Sequence, residues 1–124
     1  MNILNEQNVF LKHNDIIIEE VSDKTSTVKM EITEKSLNPY GIVHGGLIFS
    51  MGDTVMGVTV RSTGRDAVTL DASINYIKPG KGKYLTAKAE VVKIGKTTSV
   101  LKANIYNDKN ELIAIMSATY YFIN

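Results

Sequence analysis

The feature that most constrains this chain is one segment, GGLIFSMGDTVMGVTVRS, from Gly45 to roughly Ser62. It contains no proline, and it ends just before Gly64, a residue suited to the position past a helix terminus. The segment reads as a helix that is apolar over most of its circumference. Such a helix must be buried on nearly all sides. A single sheet wrapped around it supplies that cover, so the layer logic is α+β.

The flanking sequence provides such a sheet. DIIIEEV reads as a strand, and TSTVKMEIT alternates Val28, Met30 and Ile32 against Thr27, Lys29, Glu31 and Thr33. EKSLNPYG, with Pro39 and Gly41, is a loop. After the helix, AVTLDASINYI alternates Val68, Leu70, Ala72, Ile74 and Tyr76 against Thr69, Asp71, Ser73 and Asn75. YLTAKAEVVKI alternates until Val91 and Val92, where the phase slips as at a bulge. TTSVLKANIY and ELIAIMSATYYFI are joined by NDKN, a hairpin connection. At the start, Ile3, Leu4, Val9, Phe10 and Leu11 suggest a short amphipathic helix, although Asn2, Asn5 and Asn8 are poor helix residues. The expected order is a helix, two strands, the long buried helix and four antiparallel strands. At 124 residues, positions 1–124 read as one domain.

Composition removes several function classes. The formal net charge is +1, which offers no argument for nucleic acid or an anionic membrane. Without cysteine there is no disulfide framework and no thiolate chemistry, and a reducing cytoplasm is the natural setting. The N-terminus lacks the pattern of a signal peptide, and no apolar run approaches the roughly 20 residues that span a bilayer. His13 and His44 do not form a ligand cluster, so no metal is expected.

Two places in the helix segment carry chemistry. The first backbone N–H groups, including those of Gly45 and Gly46, have no intrahelical partner and sit at the positive end of the helix dipole. They form a place for an anion or a developing oxyanion, and glycine admits a close approach to the backbone. Close packing alone is the plainer explanation of a Gly-Gly pair at a helix start. The second place is Asp53, a carboxylate inside the apolar run, beside Gly46, Phe49, Gly57 and Val60 on a helical wheel. A buried carboxylate costs several kcal/mol unless paired. Its plainer reading is a position at the edge of the small-residue face Gly46, Ser50, Thr54, Gly57 and Arg61, either partly solvated or paired with Arg61.

Gly45 and Asp53 are eight residues apart, about 12 Å along one helix axis. Reacting groups must approach to roughly 3–3.5 Å. If both serve one reacting centre, they come from different chains, and two antiparallel helices across a two-fold axis provide this twice over.

At these residues the sequence resembles the hotdog-fold thioesterases, in particular the phenylacetate-pathway (PaaI-like) acyl-CoA thioesterase branch. NPYGIVHGGLIFSMGDT carries the resemblance through its Asn…Gly…His-Gly-Gly…Asp pattern, with VTLDASINYIKP and KIGKTTS as supporting matches. The resemblance implies a hotdog fold, an antiparallel sheet around a long central helix. It implies Asp53 as nucleophile or general base for thioester hydrolysis and the Gly45 N–H as the group that polarises the carbonyl. Asn38 would position substrate or water, and Thr69 would hold water beside Asp53. His44 would orient the loop. It further implies sites shared between protomers, Asp53 and Thr69 from one and Asn38, His44 and Gly45 from its neighbour. The expected assembly is a homodimer at minimum and a homotetramer as a dimer of dimers. Coenzyme A enters as part of the substrate, with no separate cofactor.

Coenzyme A brings phosphates, and seven of the 14 basic residues lie between Lys78 and Lys102, opposed only by Glu90. Lysines and turn amides suit phosphate. The KIGKT turn, Gly95, Lys96 and Thr97, is the first candidate, with Gly46 at the helix start and Lys78 beside the Lys81–Lys83 turn next. A solvated sheet face accounts for such lysines equally well. Phe49, Met56, Val60 and Tyr76 are expected to line an acyl pocket between the paired helices and the sheet. The competing functions are a hotdog hydratase or dehydratase, which needs a histidine and an acid placed for proton shuttling, and a non-catalytic acyl-CoA-binding protein. The histidine directly before the glycine pair, with the acid in mid-helix, suits hydrolysis better.

Overall fold

A computed structural model describes residues 8–124. Its elements are α1 (Val9–His13), β1 (Ile16–Val21), β2 (Thr25–Glu31), a short 3-10 turn (Glu34–Ser36), α2 (Gly45–Arg61), β3 (Ala67–Tyr76), β4 (Tyr84–Ile94), β5 (Thr98–Asn107) and β6 (Leu112–Phe122). The anticipated apolar contribution of Ile3 and Leu4 to the first helix lies outside the described residues. The six strands form one antiparallel sheet in the order β1-β2-β4-β5-β6-β3. This sheet wraps around α2, which packs against every strand. The arrangement is the hotdog fold.

The pattern of apolar residues explains the wrap. On β2, β4 and β5 the alternation sends Val28, Met30, Leu85, Ala87, Leu101 and Ile105 towards the helix, where each is fully buried. They meet Met51, Val55 and Met56 of α2. Ser62 caps α2, and Gly64 at φ 92 turns the chain out of it, a conformation that costs glycine little. Gly52 lies so close to β6 that a Cβ there would collide with Met116 Sδ. Glycine at this position lets helix and sheet approach.

Four of the strand pairings carry a register shift, and two of these bear on the readings above. The phase slip at Val92 is present as a register shift between Val91 and Lys93. A second shift, between Thr69 and Asp71 in β3, overturns the continuous alternation anticipated for that strand. Ala72 and Ile74 face the helix as expected, but Val68 and Leu70 are 50% and 63% exposed. The extra residue reverses the parity of the strand, so Ala67 and Thr69 face the helix in place of Val68 and Leu70. β3 pairs only with β6 and forms one edge of the sheet.

Candidate active site

Among the recesses that border α2 in the described residues, two carry the anticipated site residues Gly45 and Asp53, one at the helix N-terminus and one at its middle. The first, of about 370 Å³, is lined by Asn38, Ile42, Val43, Gly45, Ile48, Tyr76, Ile77, Lys78, Pro79 and Gly80. Its wall is the NPYG loop. Gly41 N–H donates to Asn38 C=O at 3.0 Å, closing a turn with Pro39 in its second position. Asn38 Oδ1 accepts from the backbone N–H of Tyr40 (2.9 Å) and of Ile42 (3.3 Å). This Asx arrangement commits the side-chain oxygen to the loop and fixes which end of the amide is nitrogen. The Nδ2 group, a double donor, has no partner among the described residues.

His44 is the N-cap of α2. Its Nδ1 accepts from Gly46 N–H at 2.9 Å, and its own N–H donates to Ser36 C=O at 2.8 Å. Accepting at Nδ1 places the proton of the neutral ring on Nε2. The cap occupies the Gly46 amide, so of the glycine pair anticipated as ligand donors only Gly45 N–H stays without a partner among the described residues. Tyr76 stands over it. Its hydroxyl donates to Gly45 C=O at 2.7 Å, and burial raises the phenol above its ordinary pKa. A Cβ on Gly45 would meet that hydroxyl at 3.1 Å, which ties the glycine to the tyrosine packed on it.

The second recess, about 280 Å³, is lined by Asn8, Leu11, Asp53, Thr54, Gly57, Arg61, Ala67, Val68, Thr69 and Tyr120. Half-buried Asp53 projects into it from the middle of α2. Thr69 Oγ1 donates to Asp53 Oδ1 at 2.7 Å, a contact that the β3 bulge makes possible by turning Thr69 towards the helix. Tyr120 OH stands 2.6 Å from the same Oδ1 and 2.9 Å from Asp53 C=O. Burial, then the adjacent Asp53 charge and hydrogen bond, push the Tyr120 phenol far above its ordinary range. It therefore stays protonated and donates. Asp53 makes no ion pair among the described residues, so the pairing with Arg61 is not what holds it. The Arg61 guanidinium folds back over Gly57, with Nη1 3.1 Å from where a Cβ would be.

Tyr120 was not anticipated. The signal for it is the pair Tyr120-Tyr121 in β6, where successive side chains face opposite ways. One ring must enter the core, and a buried tyrosine hydroxyl needs a partner.

The expected acyl liners divide. Tyr76 lines the first recess and Phe49 is half-buried at the rim of the core. Met56 and Val60 are 0% exposed and belong to the core, because the sheet covers their side of α2. They line neither recess. The basic residues divide too. Lys78, at the end of β3, borders the first recess and is bonded to Glu111 Oε2 at 2.6 Å. That bond first, with help from Asn107, holds the Glu111 carboxyl below its ordinary pKa. Gly95, Lys96 and Thr97 lie beyond the opposite end of β3. There Gly95 N–H donates to Thr98 C=O, Lys96 C=O accepts from Arg65, and Thr97 C=O accepts from Phe122 N–H. A ten-residue strand is about 30 Å long. Lys78 and Lys96 of one protomer are therefore too far apart to share a phosphate. Lys102 is paired with Glu90 at 2.9 Å. Among the described residues no cluster of three or more His, Asp or Glu is placed to hold a metal, and no helix is long and apolar enough to cross a membrane.

Comparison with known proteins places these features in context. Residues 40–114 match the Thioesterase superfamily. Acyl-coenzyme A thioesterase PaaI of Escherichia coli K12 is 35% identical over 91 residues, which cover 73% of this chain and 65% of that protein. The structure of the E. coli PaaI protein superposes with a TM-score of 0.87 at 30% identity, covering 95% of this chain and 86% of that one. A hypothetical thioesterase protein of Streptococcus pneumoniae TIGR4, crystallised with coenzyme A, gives a TM-score of 0.84 at 37% identity over 88% of this chain and 86% of its own. Crystal structures of that protein also exist with an aspartate or a threonine replaced by alanine. A Streptococcus mutans protein bound to acetyl CoA gives 0.89 at 35% identity, over 99% and 98% of the two chains.

Proposed function

The chain belongs to the Thioesterase superfamily, and from that premise we propose that it hydrolyses an acyl-CoA thioester to a free acid and CoA. The observation that carries the proposal is Asp53: a half-buried carboxylate with no ion pair among the described residues, held by two hydroxyl donors in a polar recess. A carboxylate of this kind serves as a base towards water or as a nucleophile towards an acyl carbon. The pneumococcal relative lends support, because the aspartate and threonine replaced there are separated by 16 positions, the spacing of Asp53 and Thr69.

The thioester carbonyl would bind at the first recess, its oxygen receiving Gly45 N–H at the helix N-terminus and Asn38 Nδ2. Both donors gain strength as charge develops on that oxygen. Along the water route, Asp53 takes a proton from a water resting on Thr69, and the hydroxide attacks the carbonyl carbon. The tetrahedral oxyanion then collapses, the C–S bond breaks, and the CoA thiolate leaves to take up a proton. Along the direct route, Asp53 attacks the carbonyl carbon, the C–S bond breaks and the CoA thiolate leaves to take up a proton, and water then opens the resulting mixed anhydride to the free acid and the Asp53 carboxylate. Both routes require Asp53 to lie next to a carbonyl held at Gly45.

Within one chain about 12 Å of helix separates the two. We therefore assign the working unit to a dimer with antiparallel α2 helices, in which the Gly45 recess of one protomer faces the Asp53 recess of the other. The exposed edge of β3, carrying Val68 and Leu70, supports a contact between copies. In that arrangement Lys78 of one protomer and Lys96 of its partner would approach a single CoA.

The test is a panel of acyl-CoA substrates with release of free thiol as the readout. Asp53→Asn should retain the fold, with Thr69 and Tyr120 still donating to its oxygen. Its turnover should fall by about 10²–10⁴-fold. Turnover equal to the parent would refute the assignment.

A further inference from the structure

The two hydroxyls that hold Asp53 converge on one oxygen. Thr69 Oγ1 lies 2.7 Å and Tyr120 OH 2.6 Å from Oδ1. Among the described residues, nothing hydrogen-bonds Oδ2. The two donors come from different strands, β3 and β6, which are neighbours in the sheet. Tyr120 is 2% exposed, so its ring is fixed by the core and its hydroxyl has little freedom. The same hydroxyl lies 2.9 Å from the backbone carbonyl of Asp53, so one phenol latches both the main chain and the side chain of this residue to the sheet.

Resting on the thioesterase reading, we infer that Tyr120 is a positioning residue for hydrolysis: with Thr69 it locks Oδ1, so that Oδ2 alone is presented to water or to the acyl carbon. A carboxylate on a helix can rotate about its terminal bond and exchange its oxygens. Two short O–H donors to the charged group, each stronger than a neutral hydrogen bond, oppose that rotation. The free oxygen then points into the recess in one orientation. A misplacement of about 1 Å at a reacting group costs on the order of 10²-fold in rate. Tyr120 does not touch the substrate in this arrangement, so its loss should lower kcat and leave KM nearly unchanged.

The experiment is a double-mutant cycle between Tyr120→Phe and Asp53→Asn, with steady-state kinetics on the best acyl-CoA of the panel and thermal midpoints for each protein. Tyr120→Phe keeps the buried ring and removes only the hydroxyl. Expected are a fall in kcat of about 10–100-fold, KM within about twofold, and no further loss when Tyr120→Phe is added to Asp53→Asn. A kcat within about twofold of the parent in Tyr120→Phe overturns the inference, as does an equal loss in both backgrounds, which marks a purely structural hydroxyl. Loss in Asp53→Asn with none in Tyr120→Phe overturns this inference alone. Parental turnover in Asp53→Asn overturns the thioesterase site together with it.

Discussion

Mixing two inactive variants tests the two-chain site directly. The first is Asp53→Asn, which keeps an acceptor for Thr69 and Tyr120 and removes the carboxylate. The second is Asn38→Asp, which keeps the oxygen that accepts from Tyr40 and Ile42 and removes the Nδ2 donors facing the Gly45 recess. Gly45 and Asp53 are eight residues apart on one helix, about 12 Å at 1.5 Å per residue, and reacting atoms must meet at roughly 3–3.5 Å. Every site in either homodimer therefore lacks one partner. In a mixed dimer, one site carries both lesions and the other carries none. Random reassociation of equal amounts makes about half of the dimers mixed, each with one sound site of two, so about a quarter of parental activity should return. Each variant alone should retain on the order of 1% or less, from the usual contributions of a general base and of an oxyanion donor, so the recovery is well resolved. The assay is thiol release after co-refolding of differently tagged subunits, with mixed dimers quantified by native mass spectrometry. Recovery below about 5% with half of the dimers mixed would refute the geometry, because a site wholly within one chain gains nothing from mixing.

Two further outcomes concern α2 itself. Gly52→Ala drives a Cβ into the buried Met116 Sδ, and its overpacking should outweigh the helix-propensity gain by about 1 kcal/mol, lowering Tm by roughly 4 °C. Gly57→Ala meets the end of the long Arg61 side chain at 3.1 Å and Tyr120 Cε2 at an ordinary 3.8 Å, and should raise Tm by roughly 2–4 °C through helix propensity. Shifts of the same sign in differential scanning fluorimetry would contradict the packing argument. At the helix start, His44→Ala should cost about 1 kcal/mol by freeing the Gly46 N–H, and His44→Asn, itself a good cap, should cost only a few tenths. Equal losses in urea titration would mean that the imidazole is not retained for capping.

Much of this protein is legible in the chain because its signals are local. The α2 boundaries follow from a proline-free, mostly apolar run closed by Gly64, and the alternation of β2, β4 and β5 records which side chains face that helix. The Val91-Val92 slip is visible because two apolar residues stand together where one should be polar. The β3 bulge is hidden for the opposite reason. VTLDASINY alternates without a flaw, and only pairing with β6 places the extra residue at Leu70. The fate of the helix face was equally hidden. Met56 and Val60 look no different in sequence from pocket liners, and the sheet closes over them.

By itself the sequence determined the elements, their order and the two chemically unusual spots on one helix, since these depend on periodicity and on residue type. Tertiary structure decided how those spots are equipped. It turned Thr69 towards Asp53 through a bulge and brought Tyr120 to the same oxygen from 67 positions away. It also assigned the Gly46 amide to His44 and left that of Gly45 open. Such choices depend on strand register and on competition for hydrogen-bond partners between residues distant in sequence. No local pattern encodes them, because each is settled only when the sheet has closed around the helix.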